Sequence, residues 1–430
     1  MPKRPQHIRI RGYDVGFGDC FLLTFHYSDG DERHVLVDFG SFPKATRAKA
    51  GNMPEIAKHI ETTCGGRLHA VVATHRHADH INGFATKKGG QGSGDIIRRC
   101  RPDLVIQPWT ENPTLAPNAK GLVGFAAPDR QHISALRDIR QFLGAMVRHL
   151  ARVPPAWKAV RKELGFLGEN GLGNKSAVTN LMTMARTKAG QRYVKFGSPS
   201  GLEALLPGVT IHVLGPPTIE QSAAVEKQRR RDDTEFWHIL AANAPGVTPK
   251  GGAALFPGRH VVKSVPGYAR WLMDHADALL RQQLLGIVRR MDDALNNTSV
   301  ILLFEVGGKR LLFPGDAQIE NWAFALSKSD VQKLVAGVDV YKVGHHGSLN
   351  ATPKESLWKR FTKRGTGANN LMTFLSTERG HHGSTRNDTE VPRGPLVDAL
   401  KEESRLKSTD GDGRTVDGKV ALIEDTVKIR

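Results

Sequence analysis

Cysteine is nearly absent from this chain. Cys20, Cys64 and Cys100 are the only thiols among 430 residues, widely spaced and in no C-x-x-C pattern. An odd, sparse set argues against a disulfide framework and against cysteine-bound zinc. Long apolar runs are missing too: none approaches the roughly eighteen residues that a membrane span needs. The opening Met1-Pro2-Lys3-Arg4-Pro5 leads straight into polar residues rather than the apolar core of a signal peptide. The expectation is a cytoplasmic protein that enters no membrane. Acidic residues are the third shortage, 43 Asp and Glu against 61 Lys and Arg, for a net charge of +18. That excess suits a polyanionic partner such as nucleic acid or a phosphorylated substrate, although solubility alone would use the same charge.

What is present is an ordinary globular composition, 39% hydrophobic and 24% charged, in a chain long enough for a large core. Residues 7–14, 19–27 and 33–38 alternate or run apolar between Gly16, Gly18, Asp29 and Gly30, which predicts three short strands and tight turns. Residues 54–63 read as a helix, with Pro54 near its start and Gly65-Gly66 as its stop. Strands are expected at 68–73 and 103–107, with a short helix at 95–100. The glycine-rich Lys87 to Gly94 lacks the Gly-Lys-Ser/Thr ending of a Walker loop and reads as a mobile connection rather than a phosphate cradle. Gly168 through Ser176 misses that pattern as well, because Asn174 displaces Lys175 by one place.

Two polar, basic, helical segments interrupt the strands, at 112–190 and 218–294. Ile133, Leu136, Leu143, Met146, Val147 and Leu150 stripe the first; Leu272, Leu279, Leu280, Ile287 and Val288 stripe the second. The run Lys227-Gln228-Arg229-Arg230-Arg231 suits a solvated helix face or a nucleic-acid contact equally. Neither segment is set off by linkers, so both read as insertions into one domain spanning 1–430. Strand character returns at 209–214, 300–304, 310–313, from Val338 to a histidine pair, and at 371–375, with a helix at 317–327. The last strands, near 415–428, are expected to close a second sheet.

Chemistry gathers at the strand ends. Val71-Val72-Ala73 delivers His75, His77, Asp79 and His80, three imidazoles and a carboxylate within six positions. His75 and His77 are two apart and project to one side of an extended backbone, while Asp79 and His80 can turn toward a second point. Imidazole with carboxylate suits borderline metals such as zinc. Asp38 ends the apolar run Val35-Leu36-Val37, Asp316 follows Pro314-Gly315, and His345-His346 and His381-His382 each follow a strand. A structural protein has little reason to place ionisable groups repeatedly at the ends of apolar strands.

His75-x-His77-x-Asp79-His80 resembles the metal motif of the metallo-β-lactamase superfamily. Asp14-Val15-Gly16-Phe17-Gly18-Asp19, Asn296-Asn297-Thr298-Ser299 and Lys342-Val343-Gly344-His345-His346-Gly347-Ser348 resemble one branch of it, which contains the hydrolase domain of the DNA-uptake protein ComEC and its free-standing relatives. The resemblance implies an αββα sandwich of two packed mixed sheets flanked by helices. It implies two divalent ions, zinc by preference and manganese as an alternative. His75 and His77 would hold the first ion, Asp79, His80 and His345 the second, and Asp316 would bridge both. Many members of the superfamily carry a further histidine where this chain has Asn296 to Ser299. An amide oxygen is the weaker ligand, so the first site is expected to be open or manganese-tolerant. His149, His212, His238, His260 and His275 lie in the same interval as alternatives. Asp38, Asn296, Asn297, Asp14 and Asp19 are candidates for a metal ligand or its hydrogen-bonding support. Lys342 and Ser348 are candidates for substrate contact. His346, His381 or His382 would protonate the leaving oxygen, alongside Asp79 in the catalytic set.

A bridged metal pair activates water, polarises the electrophile and offsets developing negative charge. That suits phosphodiesters, and equally esters, thioesters and lactones. The basic excess and the resemblance favour a nuclease or nucleotide phosphodiesterase over a small-molecule hydrolase, or over a metal-stabilised binding module without turnover.

Overall fold

The alternating N-terminal residues form an antiparallel meander. In the computed structural model, which describes residues 3–42, 52–112, 174–218, 221–222, 296–383 and 389–429, β1 (Pro5–Tyr13) pairs with β2 (Cys20–Tyr27) and β2 with β3 (Glu32–Phe39). From β3 the pairing turns parallel, through β4 (Ala70–Val72) and β5 (Leu104–Pro108) to β6 (Gln191–Val194). Parallel neighbours need crossovers. Here α1 (Met53–Thr63) joins β3 to β4, and α2 (Ala78–Ile81) with α3 (Ser93–Arg99) joins β4 to β5. Past α4 (Lys175–Leu181) and β6, a second sheet is built from β7 (Thr210–Gly215), β8 (Ile301–Val306), β9 (Lys309–Phe313), β10 (Val340–Lys342), β11 (Met372–Leu375) and β12 (Arg405–Ser408). Its first two pairings are antiparallel and its last three parallel.

The central strands are apolar on both faces because both faces are covered. Ile8, Leu23, Val35 and Val72 of the first sheet share one buried cluster with Val213, Leu302, Phe304 and Phe374 of the second. The alternate residues Leu22, Leu36 and Val71 turn the other way, onto Ile56 and Ile60 of α1, Ile97 of α3 and Leu181 of α4. Behind the second sheet, Ile301, Leu303 and Tyr341 pack on Trp322 of α5 (Ile319–Ala325), Val331 and Val335 of α6 (Ser329–Ala336), and Leu396 and Leu400 of α7 (Gly394–Glu403). Each fully buried side chain of this size contributes about 1.5–3 kcal/mol. Mixed sheets layered with helices in this way are compatible with the expected sandwich.

One expectation needs correction. The C-terminal strands, β13 (Arg414–Val416) and β14 (Val420–Lys428), join the first sheet rather than the second, with β14 running antiparallel to β1 from His7 opposite Lys428 to Tyr13 opposite Leu422. The second sheet ends instead on β12, whose Arg-Leu-Lys-Ser carries almost no strand signal. Lys87 to Gly94 forms a turn and, as expected, no phosphate cradle. The Asp95 carboxylate accepts the amides of Lys87 and Gly92, each at 2.9 Å, and so spends donors that a phosphate would use. The insertion at 112–190 is described only from 174, where α4 packs on the domain and Asn180 Oδ1 accepts from Arg98 at 2.9 Å. The amphipathic stripes, the basic run at 227–231, and His149, His238, His260 and His275 lie outside the described residues. Among the described residues no helix is long and apolar enough to cross a membrane.

One pH dependence is built into the first sheet. His34 accepts or donates at Thr24 Oγ1, 3.2 Å away, and His69 Nδ1 accepts the His34 amide at 3.0 Å. Burial, the largest cause for each, lowers both imidazoles to about 4. A depressed folded pKa means the fold binds fewer protons than the unfolded chain. Stability from this pair is therefore full above the free imidazole value near 6.5 and falls as pH drops toward 4. Melting temperatures measured across that window should decline on acidification, and decline less steeply when both histidines are replaced by glutamine.

Candidate metal centre

The carboxyl ends of β3, β4, β9, β10 and β11 meet at one edge of the two sheets, as strand ends do where layered α/β folds build sites. Two glycines permit the approach. A Cβ on Gly40, just after β3, would sit 2.3 Å from the His80 amide nitrogen, and one on Gly18 would sit 2.4 Å from Gly40 O. Only hydrogen in place of a side chain lets these turns touch the histidine loop.

Asp38 is the organiser. Its Oδ1 accepts the Thr74 amide and its Oδ2 the Thr74 hydroxyl, both at 2.7 Å, and Oδ2 lies 2.8 Å from His80 Nδ1. With Nδ1 so engaged, His80 Nε2 points at Asp316 Oδ2, 2.9 Å away. Burial opposes charge on His80, but Asp316 and Asp38 on its two nitrogens raise its pKa well above that of free imidazole.

Among the described residues two groups of potential ligands converge closely enough to hold an ion: Asp79, His80, Asp316 and His346, and Asp19, Asp38 and His80. The first brings in a histidine expected in another role. His346, expected to be the proton donor, stands where His345 was expected. Its Nε2 lies 3.2 Å from Asp79 Oδ2 and 3.8 Å from Asp316 Oδ2, and its Nδ1 bonds the Ser376 carbonyl at 3.0 Å. His345 Nε2 is 3.7 Å from Asp316 Oδ2, and this side chain keeps 24% of its surface exposed, more than any other in the cluster. Burial raises the Asp316 and Asp79 carboxyls, but the neighbouring histidines outweigh it and hold both below the usual carboxylate range. Asp316 Oδ1 and Asp79 Oδ1 are buried and make no hydrogen bond, and His80 Nε2 meets only the Asp316 carboxylate. Nitrogen and carboxylate donors left this way fit a divalent cation.

The second group already holds a cation of its own. The Lys342 ammonium pairs with Asp19 Oδ2, lies 3.5 Å from Gly315 O and 3.9 Å from Asp316 Oδ1, and is 2% exposed. Buried so deeply, Lys342 cannot reach a substrate as expected. Asp19 also stands 3.5 Å from His346 Nδ1 and 3.6 Å from His80 Nδ1, behind the first group.

His75 and His77 lie outside both groups. Their facing nitrogens, Nε2 and Nδ1, are 3.0 Å apart, and His75 Nε2 is 3.8 Å from Asp316 Oδ2. Burial, the largest cause, lowers His75 well below free imidazole and His77 and His345 to about 4. All three are neutral, with lone pairs to offer. Asn296 bonds His77, in the interval where the sequence offered an amide. His212 does not serve there; it pairs with Glu305 on the neighbouring strand, 3.3 Å away. Asn297 Nδ2 donates to Glu320 at 3.2 Å, and Ser299 Oγ accepts the Asp316 amide at 3.2 Å. Asp14 Oδ1 accepts the Gly16 amide at 3.1 Å and shapes its own turn. Ser348 is buried, its amide bonded to His345 O at 2.8 Å.

His381 and His382 stand one layer out. Phe17 separates them from the cluster, its ring 4.5 Å from His346, 5.3 Å from His381 and 6.2 Å from His382. Strain concentrates here as well. Five non-glycine residues have positive φ among those described, and three are Asp38, His345 and His346. Such backbone costs roughly 1–3 kcal/mol each and gathers at functional sites. Thr74, Ser299 and Phe17 were missed in the sequence, since a hydroxyl or phenyl ring beside a motif carries no signal of what it touches. No protein-family model and no curated protein matches this chain.

Proposed function

We propose that this protein is a metal-dependent hydrolase that cleaves phosphodiester bonds in nucleic acid or a nucleotide, in the manner of the ComEC-type branch of the metallo-β-lactamase superfamily. The observation that carries this reading is the convergence of Asp79, His80, Asp316 and His346 on one buried point, closely enough to hold an ion. In this reading one divalent ion, zinc or manganese, is held by those four residues. A second is held by His75 and His77 with Asp316, completed by Asn296 or His345. When bound, the ions would supply Lewis acidity and an activated water.

The chain's own residues prepare that chemistry. Asp38 fixes His80 through Nδ1 and turns Nε2 inward. The Ser376 carbonyl does the same for His346, holding a proton on Nδ1. In this reading His381, beside the Glu378 carboxylate at 3.7 Å, would give its proton only to a leaving group that extends past Phe17. The net charge of +18 favours an anionic substrate.

One observation favours a second reading. Phe17, Phe42 and Val391 form an apolar cluster beside His346 and His381, which suits an ester or lactone with an apolar group. The test is hydrolysis of single-stranded and duplex DNA, RNA, bis(p-nitrophenyl) phosphate and p-nitrophenyl esters by protein loaded with zinc or manganese. Phosphodiester cleavage is expected, reduced at least about 100-fold in His346→Ala. Ester turnover with no nucleic-acid binding at low salt would favour the second reading. Tight DNA binding without cleavage would point to a binding module and sink both.

A further inference from the structure

The end of the first sheet remote from the metal cluster carries an arginine without a counter-charge. β1 alternates, and Ile8 and Ile10 point into the core between the sheets, so His7, Arg9 and Arg11 project from the outer face. Register supplies their neighbours. Lys428, His7, His26 and Glu32 form one row across β14, β1, β2 and β3, and Thr426, Arg9, Thr24 and His34 form the next. Helices α1, α3 and α4 pack on Leu22, Leu36 and Val71, nearer the metal cluster on the same face. Lys428 and Glu32 are exposed, and His7, Arg9, His26 and Thr426 are half-buried, so both rows reach solvent.

Charge on this face is unevenly matched. Arg11 Nε donates to Glu424 at 2.7 Å, and Glu424 also takes Arg414 of β13 at 2.7 Å. Glu32 Oε1 lies 2.8 Å from His26 Nδ1, and its Oε2 lies 3.6 Å from His34 Nε2. Both of these carboxylates are thereby occupied. Arg9 has threonines across the ladder on either side, Thr24 and Thr426, and His7 and Arg11 flank it on its own strand. Among the described residues no carboxylate is paired with it, and its Nε is buried without a hydrogen bond. A half-buried guanidinium with no acceptor is costly in the free protein, and a phosphate matches its fork of donors. Beside it the His7 and His26 rings stack, 4.2 Å apart and 15° from parallel. Such a pair offers a flat surface of the kind on which unpaired bases lie.

We propose that this face is a binding site for single-stranded nucleic acid, with a backbone phosphate on Arg9, Lys428 beside it, and a base against the His7–His26 pair. The site rests on nucleic acid being the partner, as in the hydrolase reading, and not on the metal centre. Arg9 is five residues from Asp14, the end of β1 nearest the metal cluster, which is about 17 Å of extended strand. A strand held here must run past the sheet edge to reach the cluster, so a long strand gains a second hold that a dinucleotide lacks.

Fluorescence anisotropy tests the site, with a labelled single strand of about 20 nucleotides and the full chain stripped of metal by a chelator, from about 50 to 200 mM salt. Arg9→Gln should weaken binding on the order of tenfold at the lower salt. It should also reduce the slope of log affinity against log salt by about 0.7, the share of one phosphate contact on a single strand. His7→Ala should weaken binding by about fivefold or more with the slope unchanged, because a stacking contact releases no counterion. Lys359→Gln removes one exposed charge beside Trp358, behind the second sheet, and should bind as the parent does. Melting curves establish which variants are folded, and His7→Ala carries the test if Arg9→Gln is not. Arg9→Gln or His7→Ala binding like Lys359→Gln would overturn the site and leave the hydrolase reading standing. A parent that binds no strand at the lower salt would overturn both the site and the choice of nucleic acid as substrate. Capture by phosphatidylserine vesicles in place of the strand would assign the face to a membrane surface and overturn the proposal.

Discussion

Lys342→Met is expected to destabilise the fold more than any other single change at the metal cluster. Four carboxylates, Asp19, Asp38, Asp79 and Asp316, are buried together, and the positive charge among them comes from Lys342 and from the imidazoles raised beside them, His80 foremost. Burial acts to discharge the ammonium, but Asp19 and Asp316 outweigh it and raise its pKa, so it remains charged. A buried pair need not add net stability over an apolar pair, yet breaking one leaves an uncompensated charge and costs about 3–5 kcal/mol. Urea unfolding of the metal-free protein should show that loss. The double variant Lys342→Met, Asp19→Asn should recover a good part of it, because the orphaned carboxylate is then gone. If the single variant unfolds with the parent, Lys342 is not the counter-charge described here.

Asp316→Asn is expected to have the largest effect on metal retention and activity. This carboxylate is the hub of the cluster, 2.9 Å from His80 and between 3.7 and 3.8 Å from His75, His345 and His346. An amide keeps the shape but gives up the charge and half the acceptor capacity. Metal bound per chain, measured by elemental analysis after gel filtration, should fall, and phosphodiester cleavage should drop by at least about 100-fold. The increase in melting temperature that zinc gives the parent should vanish with them. A variant that keeps both its metal and its rate would remove Asp316 from the proposed mechanism.

Much of the frame was legible because its signals are local. The buried parallel strands read as apolar runs, and Pro54 with Gly65-Gly66 bounded α1 to within a residue. The histidine loop was legible as a cluster from spacing alone. What escaped depended on partners distant in sequence. β12 and β6 are short and polar, and they are strands only because β11 and β5 offer free edges. Which of His345 and His346 faces Asp79 depends on two successive left-handed residues, a turn that no residue-type pattern at those positions announces. Lys342 looked like a surface contact because lysine ordinarily is one. Only the arrival of Asp19 from the first sheet makes its burial tolerable.

The pairing of β14 with β1 sets the order of folding. Ile8 has its ladder partner at Val427, so β1 is made long before the strand that covers its second edge. Until then β1 presents an open edge to solvent and to other nascent chains. Contacts so far apart in sequence form slowly. While that edge is open, pairing with another chain competes with closure by β14.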